Sequence, residues 1–542
     1  METYYLIIVA VLFILAISDL IFGVANDAVN FLNSGIGSKV APRHIVLIVA
    51  SLGVLGGALF SSGMMEVARK GLFHPEMFTF AQIMGLFVAV MFTDVLLLDL
   101  YNTFGLPTST SVSLVFGLLG AALGTATYNV LSTTGGIEKV ITYINSDRAF
   151  VIISGIFLSV VVSFTAAVTV QFIVRMIFTF DYKEKMRRYG AIFGAFSLSL
   201  ITYFLFTKGL KGSVFEKVEF ASWIQGHMAE SLLYSFVFWL VVFIILNNIL
   251  KINIFKPIVL TGTFALAFSF SANDLVNFIG VPLAGFQAYQ SVSFDSDPSG
   301  VMMNALHEAG AVPFALLLVS GAVMIGTIWL SKKSNTVTKT EVNLSRQGKG
   351  KEKFKKSIIA KNVVNFNLFM LDIIVSITPN FVRNWVNSRF DTTKYNPQPG
   401  YDGKLPAFDL LRASVNLVIA SSLISFGTSL KLPLSTTFVT FIVAMGTSLS
   451  DRAWEKDNVV NRVSGVLTVV GGWFLTAVIA LMISFIFALI ISAGGMVAII
   501  TILAFAGYMI FRTHKYHGEQ VKKEEAKEAR EEEKTASDNL SL

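Results

Sequence analysis

The sequence predicts an all-helical, polytopic membrane protein with about 12 transmembrane or re-entrant helices, since a spanning helix needs about 20 mostly apolar residues. The chain has 542 residues, of which 54% are hydrophobic and 14% are charged, and its mean hydropathy is +0.68. Soluble domains carry about 25% charged residues, so a soluble core could not enclose this much apolar surface. Apolar stretches also recur along the whole chain, which predicts a bundle embedded in a bilayer.

Thirteen stretches of the sequence are apolar enough to enter a membrane, and some of them are expected to be re-entrant rather than spanning. In chain order they cover residues 4–32, 43–62, 80–100, 105–127, 149–178, 190–207, 229–249, 256–280, 311–330, 411–430, 433–450, 460–491 and 493–512. The first of them is interrupted by polar residues.

The segment 331–401 has a different composition, and its first part is rich in Lys and Arg. Residues 358–390 mix apolar and polar positions, which favours an amphipathic helix at the membrane interface over a span. The short loop 181–190 is basic as well. Because basic residues accumulate in cytoplasmic loops, we place both basic segments in the cytoplasm and the loops 208–228 and 281–310 outside.

Two short motifs each occur twice, in the same order. VANDAVN at residues 24–30 corresponds to SANDLVN at 271–277, and LPTSTS at 106–111 corresponds to LPLSTT at 432–437. Broken or short apolar segments at matching places in two halves are typical of transporters built from repeats, and they point to the binding site.

The spacing of these motifs indicates a duplicated unit. Asp27 precedes Ser109 by 82 positions and Asp274 precedes Ser435 by 161, so the second half carries 79 additional residues, about the size of the basic segment after Ser331. We therefore expect two repeats with a site near the midplane between them. The predicted divisions are a first transmembrane repeat (1–180), linking transmembrane helices (181–255), the start of the second repeat (256–330), a basic cytoplasmic insertion with an interfacial helix (331–410), the rest of the second repeat (411–512) and a solvated charged tail (513–542).

Asp27 and Asp274 lie in apolar segments, where each charged residue costs at least ~2.5 kcal/mol to insert. No Lys or Arg lies within two helical turns of either residue, so a bound cation is the expected neutraliser. Hard cations favour carboxylate, amide carbonyl and backbone oxygens. The candidate cation-binding residues are Asn26, Asp27, Asn30, Asn273, Asp274 and Asn277. The alternative is that the two Asp side chains are protonated or hold helices together by hydrogen bonds.

The Pro-hydroxyl motifs suit an anion. A Pro near the start of a helix leaves backbone N–H groups free to face a ligand, and the neighbouring hydroxyls add donors. A tetrahedral oxyanion can be bound in this way without an Arg, which could hold it too tightly for release. The candidate anion-binding residues are Ser109, Thr110, Ser111, Ser435, Thr436 and Thr437. The alternative is that these hydroxyls cap helices or pack against neighbouring helices.

With both motifs doubled, the chain resembles the inorganic phosphate transporter (PiT) family of cation–phosphate symporters. The hallmarks of that family are a repeated G-A-N-D-x-x-N motif and a repeated P-x-S-T-T element, and the resemblance extends from about residue 15 to about residue 490. It implies an inverted-repeat helical fold with phosphate bound between the halves by the six hydroxyl residues. It also implies that sodium, or a proton in its place, is bound by Asp27, Asn30, Asp274 and Asn277.

The resemblance further implies a functional Glu that gates or couples transport, in an E-x-x-R-K-G motif, and Glu66 fits this pattern. Glu341 is a weaker candidate for its counterpart, with a solvated charge in a basic loop as the alternative. The chain departs from the hallmarks at Val24 and Ser271, which replace Gly, and at Ser111, which replaces Thr. These departures leave sulfate as the competing tetrahedral anion.

We therefore expect a secondary active transporter that imports phosphate by alternating access, and not an enzyme. The expected partners are phosphate, sodium or protons, and the lipid bilayer. We expect no nucleic acid and no resident cofactor. A homodimer is one possible assembly. The sequence contains no G-x-x-x-x-G-K-[ST] loop, so we expect the cation gradient to drive transport. The alternatives are a channel, a membrane-embedded enzyme and a non-transporting phosphate sensor. The absence of cysteine suits a bacterial inner (plasma) membrane.

Overall fold

The computed structural model is built almost entirely of helices. It describes residues 1–61, 68, 71–133, 136–210, 223–224, 226–307, 312–348, 354–392, 397, 399–430, 432, 434–453 and 458–540.

Fifteen α-helices follow one another in these described ranges. They are α1 (Glu2–Gly37), α2 (Arg43–Leu59), α3 (Phe80–Phe104), α4 (Thr110–Ser132), α5 (Ser146–Phe178), α6 (Lys183–Leu210), α7 (Met228–Ile244), α8 (Phe255–Gln290), α9 (Phe314–Leu330), α10 (Lys332–Leu344), α11 (Ile358–Ile377), α12 (Asn380–Arg389), α13 (Leu410–Ser429), α14 (Thr436–Ser450) and α15 (Val459–Leu540).

Over the part of the chain that the structure describes, nine helices are long and apolar enough to cross a membrane, and α9 with α10, bent by 69°, form a tenth if they count as one broken span. Together with the shorter apolar helices α2 and α14, they confirm the prediction of about 12 transmembrane or re-entrant helices. The α15 helix is interrupted at Gly495, whose backbone is non-helical (φ 53°, ψ −134°). This break lies just inside the second of the two stretches that were predicted at 460–491 and 493–512.

The helices α1 and α8, which carry the two Asn-Asp motifs, pack antiparallel along their length. Phe13 of α1 contacts Phe286 of α8 near one end, with ring centroids 5.9 Å apart. Phe31 contacts Phe270 farther along, at 5.1 Å, so the numbering rises in one helix as it falls in the other. The two repeats are therefore inverted, as the family resemblance implies.

Each Pro-hydroxyl motif lies at the tip of a helical hairpin that enters and leaves on one side. The backbone N–H of His74, before α3, donates to the carbonyl of Tyr143, after α4, so both ends of the α3–α4 hairpin lie together. Asp409 and Asp451, at the two ends of the α13–α14 hairpin, both form ion pairs with Arg175. In each hairpin the two helices are therefore antiparallel, with both ends on the same side of the tip.

The two hairpins approach from opposite ends of α1. Tyr5 at the start of α1 contacts Phe80 at the start of α3, with ring centroids 4.5 Å apart. At the other end, the N–H of Ala407 donates to the carbonyl of Gly37, just before α13 begins. The tips consequently meet in the interior, between the two repeats.

The predicted basic insertion 331–410 begins with a helix that packs against the bundle. The α10 helix buries Lys333, Val337 and Glu341. Lys333 donates to the Asp99 carboxylate of α3 at 2.6 Å, so its charge is compensated inside the protein. The following helices α11 and α12 are mostly exposed and are separated near Pro379, in the region where an interfacial helix was predicted.

Candidate functional site between the two repeats

The second helix of each hairpin, α4 or α14, begins at the tip with the same kind of N-cap. The Ser109 hydroxyl accepts a hydrogen bond from the N–H of Val112 at 3.1 Å, and the Ser435 hydroxyl accepts one from Phe438 at 3.1 Å. Both serines are therefore N-caps, which agrees with the capping alternative for these two residues. Because a helix N-terminus carries partial positive charge, two such termini at the interface between the repeats can stabilise an anion.

Asp27 and Asp274 are fully buried between the tips, and hydroxyl groups from both halves donate to each carboxylate. Asp27 accepts from Thr110 of its own half at 2.9 Å and from Thr437 of the opposite half at 2.9 Å.

Asp274 repeats this pattern, with Thr436 of its own half at 2.6 Å and Ser111 of the opposite half at 3.1 Å. The second hydroxyl of each motif thus bonds the carboxylate of its own repeat, and the third bonds the carboxylate of the other. This exchange is what a two-fold pseudo-symmetry between inverted repeats produces.

The second asparagine of each Asn-Asp motif also follows this symmetry. The Asn30 amide donates to Thr437 at 3.1 Å, and the Asn277 amide donates to Ser111 at 3.0 Å, so each contacts the third hydroxyl of the opposite half. The carbonyl oxygen of Asn30 accepts from Thr440 at 3.0 Å. The structure thus brings both amides to the carboxylate–hydroxyl network.

The first asparagine of each motif instead fastens the hairpin tip of its own repeat. The Asn26 carbonyl oxygen accepts from the N–H of Thr108 at 2.8 Å, and its amide donates to Asn102 at 2.9 Å. The Asn273 carbonyl oxygen accepts from Thr428 at 2.9 Å, and its amide donates to the backbone of Leu434 at 2.9 Å. Their geometry is therefore that of positioning residues for the tips.

Three residues of this network were not identified from the sequence, namely Asn102, Thr428 and Thr440. Asn102 and Thr428 lie at the same distance before Ser109 and Ser435, seven positions in each case, so extending the repeat alignment backwards would have paired them. Thr440 had no such signal, because its counterpart in the first half is Leu114.

Of the two candidate glutamates, Glu66 lies outside the described residues. Glu341 is buried in α10, which corrects the alternative of a solvated charge in a loop. The Asn33 amide of α1 donates to its carboxylate at 2.5 Å. The sequence did not reveal this burial because the residues around Glu341 are polar and basic.

The network combines carboxylate, amide and hydroxyl oxygens, which are ligands that hard cations prefer. The hydrogen bonds that the two carboxylates accept come from hydroxyl and amide groups. Two cations could therefore neutralise the two carboxylates, and the hydroxyls and helix N-termini could then face an anion.

Comparison with known proteins gives a consistent result. The model of the "Phosphate transporter family" matches residues 23–341 of this chain. A protein of Thermococcus kodakarensis named "Putative phosphate permease TK2061" is 29% identical over 124 residues, which cover 22% of this chain and 30% of that protein. A similarly named protein of Pyrococcus furiosus is 27% identical over 125 residues, which cover 22% of this chain and 30% of the relative. The chain thus matches less than a third of the length of these curated relatives.

One solved structure has the same fold as this chain over nearly the whole length of both chains. The structure described as "The sodium-dependent phosphate transporter" superposes with a TM-score of 0.61, covering 90% of this chain and 99% of that chain. The sequences are 18% identical in this superposition, so the likeness shows the fold.

Proposed function

Because the chain belongs to the phosphate transporter family, we propose that it imports inorganic phosphate by secondary active transport, with sodium as the coupling ion and protons as the alternative. The family match over residues 23–341 carries this proposal, since it includes both Asn-Asp motifs and the first Pro-hydroxyl motif. The structural neighbour is described as a sodium-dependent phosphate transporter, which supports sodium over protons.

We assign the cation sites to Asp27 with Asn30 and to Asp274 with Asn277, and the phosphate site to the two hairpin tips. The hydrogen bonds that converge on the carboxylates support this assignment, because hydroxyls that can donate to a carboxylate can also donate to a phosphate oxygen. Asn26 and Asn273 act by holding the tips in place. Ser109 and Ser435 contribute through the helix N-termini that they cap.

The coupling follows from electrostatics. A phosphate dianion beside two unneutralised carboxylates is repelled, and this repulsion is strong in a low-dielectric interior. Cations bound at Asp27 and Asp274 remove it, so phosphate affinity depends on prior cation binding. Alternating access then requires the α3–α4 and α13–α14 hairpins to open toward opposite sides in turn, around a site that stays between the repeats.

We also propose the division of the chain into two repeats and an insertion, with α6 and α7 as linking helices between the repeats. The membrane is proposed to be the inner (plasma) membrane of a bacterium; the Thermococcus and Pyrococcus relatives come from archaea, whose plasma membrane is the corresponding boundary. A homodimer stays a prediction, which the mass of the purified protein–detergent complex tests.

Uptake of labelled phosphate into proteoliposomes tests the proposed function. Wild type is compared with Asp27→Asn and Asp274→Asn under an inward sodium gradient, an inward proton gradient or neither. We expect phosphate to accumulate with the sodium gradient alone and each Asn variant to abolish accumulation. Asp402→Asn is the matched control, because Asp402 lies at the surface and pairs with Lys39.

Three outcomes would contradict parts of the proposal. Accumulation driven by the proton gradient would replace sodium as the coupling ion. Movement of sulfate without phosphate would overturn the substrate. Failure of both anions to move with folded protein would favour a sensor over a transporter.

A further inference from the structure

Two carboxylates outside the duplicated motifs are buried together near the central site. Asp19 of α1 is 0% exposed and Asp94 of α3 is 1% exposed. The two groups are close enough to interact electrostatically. Within the described part of the chain, none of their four carboxylate oxygens has a hydrogen-bond partner.

A buried hydroxyl on α4 lies beside Asp94. Ser113 is 1% exposed, and its hydroxyl lies near the Asp94 carboxylate without completing a hydrogen bond to it or to any other described residue. Three helices therefore carry five buried oxygen atoms that lack a hydrogen-bond partner among the described residues. The buried ammonium of Lys333 on α10 does not neutralise this pair, because it donates to Asp99 of α3 at 2.6 Å.

This cluster lies on the side of the central site where α1 begins, and Tyr5 at that end contacts Phe294 of the loop that the sequence predicts to be outside. Asp19 precedes Asp27 by eight positions, which is about 12 Å along a helix. The direction is toward the start of α1, where Tyr5 contacts the beginning of the α3–α4 hairpin. A cation that enters from that side toward Asp27 would therefore meet Asp19 and Asp94 first.

The cluster also breaks the pseudo-symmetry that the central site obeys. The offset that relates Asp27 to Asp274 places Leu266 opposite Asp19, and the offset that relates Ser109 to Ser435 places Ala420 opposite Asp94 and Val439 opposite Ser113. All three polar residues thus have apolar counterparts. Packing of the duplicated fold does not require polar groups at these places.

Two ionised carboxylates inside a membrane protein are costly without a partner, and such residues pair with a counter-charge or serve an ion pathway. Carboxylate and hydroxyl oxygens are the ligands of hard cations. We propose that Asp19, Asp94 and Ser113 form a further sodium site, separate from the duplicated motifs and on the side of them where α1 begins. The proposal rests on the sodium coupling proposed above, and it adds a sodium ion to those proposed at Asp27 and Asp274.

Equilibrium binding of radioactive sodium to the purified full-length protein tests this site without requiring transport. The variants are Asp94→Asn and Ser113→Ala, with Asp27→Asn for the central site. Ser163→Ala is the matched control for Ser113→Ala, because Ser163 on α5 is also a buried hydroxyl without a hydrogen-bond partner among the described residues. Each variant is first checked for a wild-type elution profile in size-exclusion chromatography.

We expect Asp94→Asn to bind one sodium ion fewer per chain than wild type, and Ser113→Ala to need about tenfold more sodium for half-saturation. Ser163→Ala should match wild type in both quantities. If Asp94→Asn and Ser113→Ala both keep the wild-type sodium number and half-saturation, the site is overturned, and the carboxylates share a proton instead.

The design separates this inference from the proposed function. If Asp27→Asn lowers the sodium number while Asp94→Asn and Ser113→Ala do not, sodium coupling at the central site stands and only the further site fails. If wild type binds no sodium, both the further site and sodium coupling are overturned.

Discussion

The Thr437 hydroxyl donates a hydrogen bond of 2.9 Å to the Asp27 carboxylate, although the two residues come from opposite repeats. Ser111 and Asp274 form the reciprocal contact at 3.1 Å. Each hairpin tip is therefore hydrogen-bonded to the carboxylate of the other repeat. A cation bound at either carboxylate, as proposed above, would compete with a hydroxyl of the opposite tip, and this competition would couple the two repeats.

Removing the Thr437 hydroxyl should weaken cation binding and phosphate uptake together. A hydrogen bond to a charged group contributes ~1.5–3 kcal/mol, so Thr437→Val should raise the sodium concentration for half-maximal uptake by about tenfold or more. Thr437→Ser keeps the hydroxyl and imitates Ser111 in the reciprocal contact, so it should remain near wild type. The measurement is the sodium dependence of phosphate uptake in proteoliposomes. Equal behaviour of the Val and Ser variants would exclude a role for this hydroxyl.

The second prediction concerns the close packing of α2 against α8. A Cβ atom added at Gly57 would lie 2.1 Å from the backbone oxygen of Phe268, so the two helices would have to separate. Overpacking of this kind costs ~1–3 kcal/mol, and Gly57→Ala should lower the thermal unfolding temperature in detergent. Gly155→Ala on α5 is the control, because no atom lies within 4 Å of the added Cβ there. An unchanged unfolding temperature for Gly57→Ala would show that α2 can move away from α8 without cost.

Much of this architecture could be predicted from the sequence because the Asn-Asp motif and the Pro-hydroxyl motif each occur once in either repeat. Asp27 and Asp274 are unusual in apolar helices, and their matching neighbours made a shared site the natural interpretation. The structure brings these residues together with the six hydroxyl residues of the tips, although what they bind stays a prediction.

Other features could not be predicted because local composition and burial disagree. The α10 helix is polar and basic in sequence, yet it is buried because Lys333 meets Asp99 and Glu341 meets Asn33 across the bundle. Such pairings depend on contacts between residues hundreds of positions apart, for which a local pattern carries no information. The proximity of Asp19 and Asp94 could not be predicted either, because the two residues are 75 positions apart and neither lies in a repeated motif.

The contact between Glu341 and Asn33 yields a third prediction. Glu341→Ala leaves the Asn33 amide buried without its acceptor, which should cost ~1–3 kcal/mol of stability. Glu341→Gln retains an acceptor oxygen and should cost less. Thermal unfolding in detergent measures both, with Glu230→Ala on the exposed side of α7 as a control that should leave stability unchanged. If Glu341→Ala is as stable as the control, the contact contributes little, and any effect of this variant on uptake must arise from transport itself.

The last prediction concerns Arg175, which joins α5 to both ends of the α13–α14 hairpin. Its buried guanidinium lies 2.9 Å from Asp409 and 2.5 Å from Asp451. Arg175→Met leaves two carboxylates buried without a counter-charge, so it should destabilise the protein by ~3–5 kcal/mol. Arg175→Lys should rescue only part of this loss, because a single ammonium cannot reproduce the planar contacts that guanidinium makes with both carboxylates.

Combining Arg175→Met with Asp451→Asn distinguishes an ion-pair effect from a packing effect. The double variant removes one of the stranded charges, so it should be more stable than Arg175→Met alone, as measured by thermal unfolding in detergent. Arg452→Met is the matched control; Arg452 is exposed and stacks over Phe390, and its loss should cost less than ~1 kcal/mol. If the double variant is no more stable than the single one, lost packing of the Arg175 side chain, and not uncompensated charge, sets the position of the hairpin.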